Sequence, residues 1–345
     1  MKTQVLNSKG EPIVLNQMEE RQSKYLKQQI KNSLGYEIDI TTLTAISKRV
    51  VEQKFFQIAP AEYMPVRVGD GAWSTEILTY RDFSIGGDFE SGIINTAANK
   101  SRFTEADSGV DSITVPVMNW GREINWTIFD LAHASRSGNW DLVSSKERAR
   151  KKQWDLGIQK IAFLGSDSNS NVRGLLTQSD VTSNTSIITK HISAMSDSEF
   201  EEFLSKVIEA YRANAARTAM PTHFAMPEAD YNGLAVATSE DFPLKSKLER
   251  LLETFRLITR NPDFHILPLA YADEDNNAGT LVDGKNRYVL YNYEEDSGRM
   301  DIPVDYTNTM QNTVNGAQFT NVGYGQFTGF KAYRPKEFLY FDWSS

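Results

Sequence analysis

Residues 161–178 read IAFLGSDSNSNVRGLLTQ, and the break inside this stretch decides how the chain is organised. Apolar residues run into Gly165, a polar loop follows, and Gly174-Leu175-Leu176 then restore the hydrophobic text. Immediately upstream, WDLVSSKERARKKQWDLGIQKIAFLG places Val143, Trp154, Ile158, Ile161 and Ala162 on one stripe, as a buried helix face requires. A helix from Asp141 to Leu164 would be roughly 36 Å long at about 1.5 Å per residue. Gly165 then suits the left-handed residue that ends a helix. Leu175 and Leu176 are expected to plug the core beneath it. The basic run KERARKK (146–152) is expected on the opposite, solvated face, with a basic strip for an anionic partner as the sharper alternative.

Working outward toward the N-terminus, TIFDLAHASR (127–136) predicts a short helix that stops near Gly138-Asn139. Residues 64–126 alternate β-branched or aromatic residues with polar ones, the pattern of a half-buried antiparallel ribbon. Ile77 and Thr79 fall in one arm, Val115 and Val117 in the other, and a Gly-, Ser- and Asn-rich stretch without periodicity lies between them. A ribbon with so little core of its own needs a partner surface. Residues 13–33 predict a mostly polar helical arm carrying Met18, Arg21, Tyr25 and Ile30, with Gly35 as its stop.

Toward the C-terminus the text turns to an α/β lobe. Ser196 and Glu199 form a capping-box pattern. Phe200, Phe203, Leu204, Val207, Ile208 and Tyr211 then give an amphipathic stripe, with Pro221 as its stop. THFAMP reads as a buried strand, ADYNGLA as a short helix, and 245–257 as a helix facing inward through Leu248, Leu251, Leu252 and Phe255. FHILPLAY, RYVLYNY and MDIPVDYT are three strand candidates, and the closing FTGFKAYRPKEFLYFDW is expected to return to the core.

Bulk properties exclude more than they assign. The 345 residues contain no Cys, so disulfides, thiolate metal sites and a Cys nucleophile are absent, which suits a reducing compartment. No apolar run approaches the roughly 20 residues that span a bilayer, and the first residues lack a secretory apolar segment. A net charge of −8 argues against a dedicated nucleic-acid reader.

Chemistry is equally scarce. The four His residues (133, 191, 223, 265) are scattered over different elements without ligand spacing. DEDNNAGTLVDG (273–284) has its Gly displaced from the calcium-loop position and Gly284 where a bidentate Glu belongs, so it reads as a polar hairpin turn. GYGQFTG (323–329) has the wrong spacing for a dinucleotide fingerprint, and its glycines are expected to serve a bulge or tight turn. Gly69-Asp70-Gly71 lacks the Lys-Ser/Thr of a phosphate loop. No catalytic, cofactor-binding or metal-ligating residue is expected.

The order of these parts resembles the major capsid protein of tailed bacteriophages with the Hong Kong 97-type fold. The most specific stretch is FLGSDSNSNVRGLLTQ, with Thr177 where Asn is common in that family. LTYRDFSIGGDFESG, ITVPVMNWGREINWTIFDLAHA, RNPDFHILPLAYA, RYVLYNY and MDIPVDYT carry the rest, so the likeness spans roughly residues 35–340. The resemblance implies an α+β chain: an N-terminal arm and entry to the body (1–63), an E-loop β-ribbon (64–126), and a P domain with the spine helix (127–195). A mainly A-domain stretch (196–300) and return strands to the P domain (301–345) complete it. It implies pentamers and hexamers that tile an icosahedral head around genomic DNA, in a virion assembled in the host cytoplasm. Implied partners are the chain itself, a portal, a separate scaffold or decoration protein, and double-stranded DNA contacted non-specifically; no enzyme activity, cofactor or membrane is implied. Only about 40 residues precede the body, so a built-in scaffold of around a hundred residues is not expected. An encapsulin-type compartment shell is the alternative of the same fold, and a β-rich glycan-binding tail or surface protein is the alternative of another class.

Overall fold

The computed structural model describes residues 57–85, 107–136, 141–238, 243–282, 284–313 and 315–344, together with the pairs 5–6 and 12–13. The expected arm helix, apart from Ile13, and the irregular stretch of the ribbon at 86–106 lie outside the described residues. The chain divides into two units, one of residues 1–54 and 131–141, the other of 55–130 and 142–345. In the first, β1 (Val5–Leu6) pairs antiparallel with β2 (Pro12–Ile13). The rest of this section concerns the second.

After a short 3₁₀ turn at Pro60–Glu62 come β3 (Val66–Val68), β4 (Glu76–Ile85), β5 (Asp107–Pro116) and β6 (Met118–Thr127). Helix α1 (Ile128–Arg136), whose residues 131–136 belong to the first unit, and α2 (Leu142–Leu164) follow, then β7 (Thr182–Asn184), α3 (Asp197–Asn214), β8 (His223–Pro227), α4 (Glu228–Val236) and α5 (Lys247–Thr259). Next are β9 (His265–Leu269), the one-turn α6 (Glu274–Asn277), β10 (Asn286–Tyr291), β11 (Gly298–Ile302) and β12 (Val304–Asn308). The chain ends with β13 (Asn312–Thr313), β14 (Gln318–Phe327), β15 (Phe330–Ala332) and β16 (Phe338–Trp343).

The central layer is a five-stranded mixed sheet in the order β7-β16-β10-β8-β9. It is covered on both faces, which is why RYVLYNY and EFLYFDW read as nearly continuous apolar runs rather than alternating ones. Tyr288, Leu290, Leu339 and Phe341 point to one face, where Phe200, Val207 and Tyr211 of α3 and Leu251 and Phe255 of α5 pack on them. Val289, Tyr291, Phe338 and Tyr340 point to the other, against Phe163 and Leu164 of α2 and Leu175-Leu176. The C-terminal strand thus sits inside the sheet, as its sequence predicts. Helix α3 opens with the expected capping box between Ser196 and Glu199. It ends at Asn214 rather than near Pro221, because Ala216 and Arg217 both turn left-handed (φ 50° and 63°).

Two sequence expectations are corrected here. MDIPVDYT is not one strand. Pro303 divides it between β11, which pairs with β3 and β15, and β12, which pairs with β14 in a different sheet. Proline cannot donate to a ladder, so the chain changes sheets where the ladder must stop. Residues 273–284 are not a hairpin turn either: β8 lies between β9 and β10, and the segment carries α6 with Asn277 buried. Asn277 holds that connection in place by donating to the Lys285 and Tyr271 carbonyls.

Candidate functional site

The last turn of α2 shows what the broken stretch is for. A helix leaves its final four carbonyls without intrahelical partners, and leaving them unsatisfied in a core is costly. All four are satisfied here. Gly165 N–H donates to Ile161 O, Leu175 N–H to Ala162 O (2.8 Å), Leu176 N–H to Phe163 O (2.9 Å), and Thr177 Oγ1 to Leu164 O (3.1 Å). The chain therefore leaves the helix, makes the polar excursion of 166–173, and returns to cap the same helix with its own backbone. Gly165 adopts φ +80°, as predicted.

The return is possible only because two glycines cross. A Cβ at Gly174 would lie 2.3 Å from the Phe163 carbonyl carbon, and one at Gly165 would lie 2.5 Å from Val172 O. Leu175 and Leu176 are fully buried, and their carbonyls accept from Tyr340 Oη and Arg287 Nη1. Arg287 in turn makes a paired salt bridge with Asp342 on β16, and both are largely buried. Gln178 Nε2 donates to both Gly174 O and Phe330 O. The lock thus ties α2 to the five-stranded sheet and to β15.

The N-terminal half of α2 is tied by Arg150, and here the sequence reading is corrected. Arg150 belongs to the basic run expected on a solvated face, yet it is 2% exposed. Its guanidinium donates to Tyr306 Oη, the Arg122 and Asn321 carbonyls, Asn308 Oδ1 and Asn321 Oδ1. Every N–H of the fork is used, and every acceptor is neutral. Gly323 leaves the space, since a Cβ there would lie 2.6 Å from Arg150 Nε, and Gly325 does the same for the Trp154 ring. Those glycines therefore admit a helix against the sheet of β6, β14 and β12, and make no tight turn. A bulge does occur, on β12, where register slips between Val304 and Thr307 opposite Gly325. The remaining basic residues of the run stay nearer the surface, with Lys146 donating to Asn125 O.

The ribbon differs in kind. β4 and β5 pair over ten residues each, with Ile77 opposite Val115 in the two arms where the sequence reading places them, while Val117 falls just past the end of β5. At its root, Thr79 Oγ1 accepts from Arg299 Nη2, Arg299 lies over the Tyr333 ring, and Asp301 joins Arg299 to Arg67. Beyond that root the outward face carries Leu78, Tyr80 and Val110, of which Tyr80 and Val110 are about 70% exposed. No other described strand joins this two-stranded sheet.

The histidines are not brought together into a site. His191 packs edge-on against Trp343, with Nδ1 4.0 Å from Asp230. His223 and His265 stand side by side on β8 and β9, 5.0 Å between ring centres. Burial, and then His265, hold the His223 imidazole down to about 4. Among the described residues no group of three His, Asp or Glu side chains is placed to hold a metal ion. Sequence reasoning missed Arg150, Thr177 and Gln178 as the joints of the lock. The one available signal was the Gly-x-Gly spacing of 323–325, which puts two missing side chains on one face of a strand.

Comparison with known proteins agrees with this layout. A family model described as major capsid protein matches residues 91–343. Among solved structures, the capsid of Myoviridae phage XM1 aligns with a TM-score of 0.71 at 18% identity, covering 89% of this chain and 99% of that one. A structure from Mycobacterium phage Bobi aligns at 0.57 and 10% identity over 90% and 98% of the two chains. The capsid of a native GTA particle aligns at 0.56 and 9% identity over 91% and 99%. No curated protein sequence matches the chain. A helix capped by its own return loop, a two-sided core and an outstanding β-ribbon thus occur in a chain that belongs to the major capsid protein family, with the Hong Kong 97-type fold of tailed-bacteriophage shells.

Proposed function

We propose that this major capsid protein closes into pentamers and hexamers, and that these tile an icosahedral head around phage genomic DNA. The observation that carries the reading is the ribbon: ten paired residues per strand whose outer face keeps Leu78, Tyr80 and Val110 in water. Apolar surface held out on a firmly rooted element gains by being covered, and in a shell the cover is the next subunit. In family terms the ribbon of β4 and β5, within the 64–126 stretch expected as the E-loop, is the E-loop, and α2 the spine helix. The P domain is then 127–195 with return strands from 301–345, the A domain mainly 196–300, and the N-terminal arm 1–63. Weak contacts repeated around closed rings give a stable particle through multivalency.

The further partners follow as parts of the same proposal. A portal and a separate scaffold or decoration protein would meet the shell, and DNA would touch its wall without sequence recognition, as net charge −8 suits. Assembly would take place in the host cytoplasm, the particle being the final location. The role is structural, with no catalytic step assigned to any residue.

Expression of the chain alone, followed by electron microscopy and size-exclusion chromatography, tests the proposal. Rings, tubes or closed shells are expected. A persistent monomer that binds a glycan would overturn it, and shells filled with a host enzyme would favour an encapsulin-type compartment. Deleting residues 82–112 should leave a folded monomer that no longer assembles; intact assembly would show that the ribbon is not the connecting element.

A further inference from the structure

The β9 edge of the five-stranded sheet carries two features that neither the lock nor the ribbon uses. The first is a groove of about 450 Å³ beside β9, lined by Ile58, Ala59, Glu62, Tyr63, Glu228 and Pro268. Its floor is partly apolar and its walls hold two carboxylates. Among the described residues no cation pairs with either Glu62 or Glu228. Their charge is nevertheless felt inside, since burial and then these two carboxylates push the Tyr63 hydroxyl up to about 12.

The second feature is the C-terminal end of α5. Arg256 and Arg260 are exposed, four residues apart, and no described acid pairs with them. Between them Leu257 is 78% exposed, with Ile258 beside it at 40%. Arg260 turns left-handed at φ 55° and so ends the helix with this group presented outward. A cation near a helix C-terminus is ordinary. Two cations framing a bare leucine are complementary to a groove that frames an apolar floor with two carboxylates.

The features lie toward opposite ends of β9. Arg260 precedes its first residue, His265, whereas Pro268 of the groove lies about 10 Å further along the strand. No described contact joins them within one copy. A surface and its complement at different places on one molecule make a head-to-tail contact, and repeated rotation closes such contacts into a ring.

We propose that the Arg256–Arg260 helix end of one copy seats in the Glu62–Glu228 groove of the next, with Leu257 against Ile58 and Pro268. This rests on the shell reading above and names the surfaces that join neighbours within a ring. The charges set register and exclude wrong neighbours, while Leu257 supplies the buried anchor.

Charge exchange tests it on the full chain. Arg256→Glu with Arg260→Glu, or Glu62→Arg with Glu228→Arg, should each raise the concentration needed for assembly at least about tenfold. All four changes together should restore it, which a general folding defect would not allow. Because the chain has no Cys, a second arm uses Glu62→Cys with Arg260→Cys in one chain. Mild oxidation of assembled particles should give a ladder of covalent oligomers on a denaturing gel. Wild-type assembly with unaffected charge variants and no ladder would overturn this interface and leave the shell reading standing. A wild-type chain that forms no rings or shells at all would overturn both.

Discussion

The return loop and the ribbon are opposites in construction. Around Gly165 and Gly174 every polar backbone group of the helix end finds a partner inside the molecule, and Leu175-Leu176 exclude water completely. Along β4 and β5 the backbone is paired, yet Leu78, Tyr80 and Val110 stand exposed. The first region is complete within the subunit, and under the proposed function the second is finished by another copy. A change in the first should therefore unfold the subunit, and a change in the second should spare the subunit and spoil the particle.

The comparison is most easily broken at Gly174. Replacing it by Ala drives a Cβ into the Phe163 backbone, which no rotamer can relieve. The expected cost exceeds about 3 kcal/mol, read as loss of soluble protein or a large drop in urea midpoint. Unchanged stability would mean that the two segments do not cross as described. Leu176→Ala should cost about 3 kcal/mol by leaving a cavity, again in urea unfolding of the subunit. Arg150→Ala should cost about 3 kcal/mol, because it strands the buried carbonyl and amide oxygens of Asn321 and removes the donor to Tyr306, Asn308 and the Arg122 carbonyl. A loss below about 1 kcal/mol would show that water replaces the guanidinium there.

Acid probes the packed half through His223. Its folded-state value near 4 lies below the ordinary 6.5, so the unfolded chain takes up a proton first. Its contribution to stability is complete above pH 6.5 and declines as pH falls toward 4. The loss is about 1–2 kcal/mol once its solvent-facing edge is allowed for. Thermal melts across that window should show it, and a His223→Asn variant should show a flatter profile. The smallest effect belongs to the ribbon. Tyr80→Ser should change subunit stability by no more than about 0.5 kcal/mol while reducing assembly seen by light scattering. A large destabilisation would place Tyr80 inside a core within the subunit.

Legibility in the sequence follows the same division. The helix, its glycine stop, the buried leucine pair, the two arms of the ribbon and the Ser196–Glu199 capping box were readable because each depends on local pattern and periodicity. The long-range ties were not. Arg150 lies among Lys and Arg residues that behave as a solvated face, and only the strand carrying Gly323 reveals that one position of the run is buried. MDIPVDYT read as one strand because a change of sheet has no local signature. Residues 273–284 had the composition of a turn, yet β10 pairs with β8 and β16 rather than with β9, set by packing far along the chain.

The capping of α2 by its own return has a consequence for how such chains can vary in length. Adding or removing one residue within the helix would rotate its end by about 100° and carry Ala162, Phe163 and Leu164 away from Leu175, Leu176 and Thr177. Residues 166–171 bear no such constraint, since most of them are exposed and polar. Insertions and deletions among related chains should therefore gather in that excursion, leaving the helix and the Gly-Leu-Leu-Thr return at fixed length.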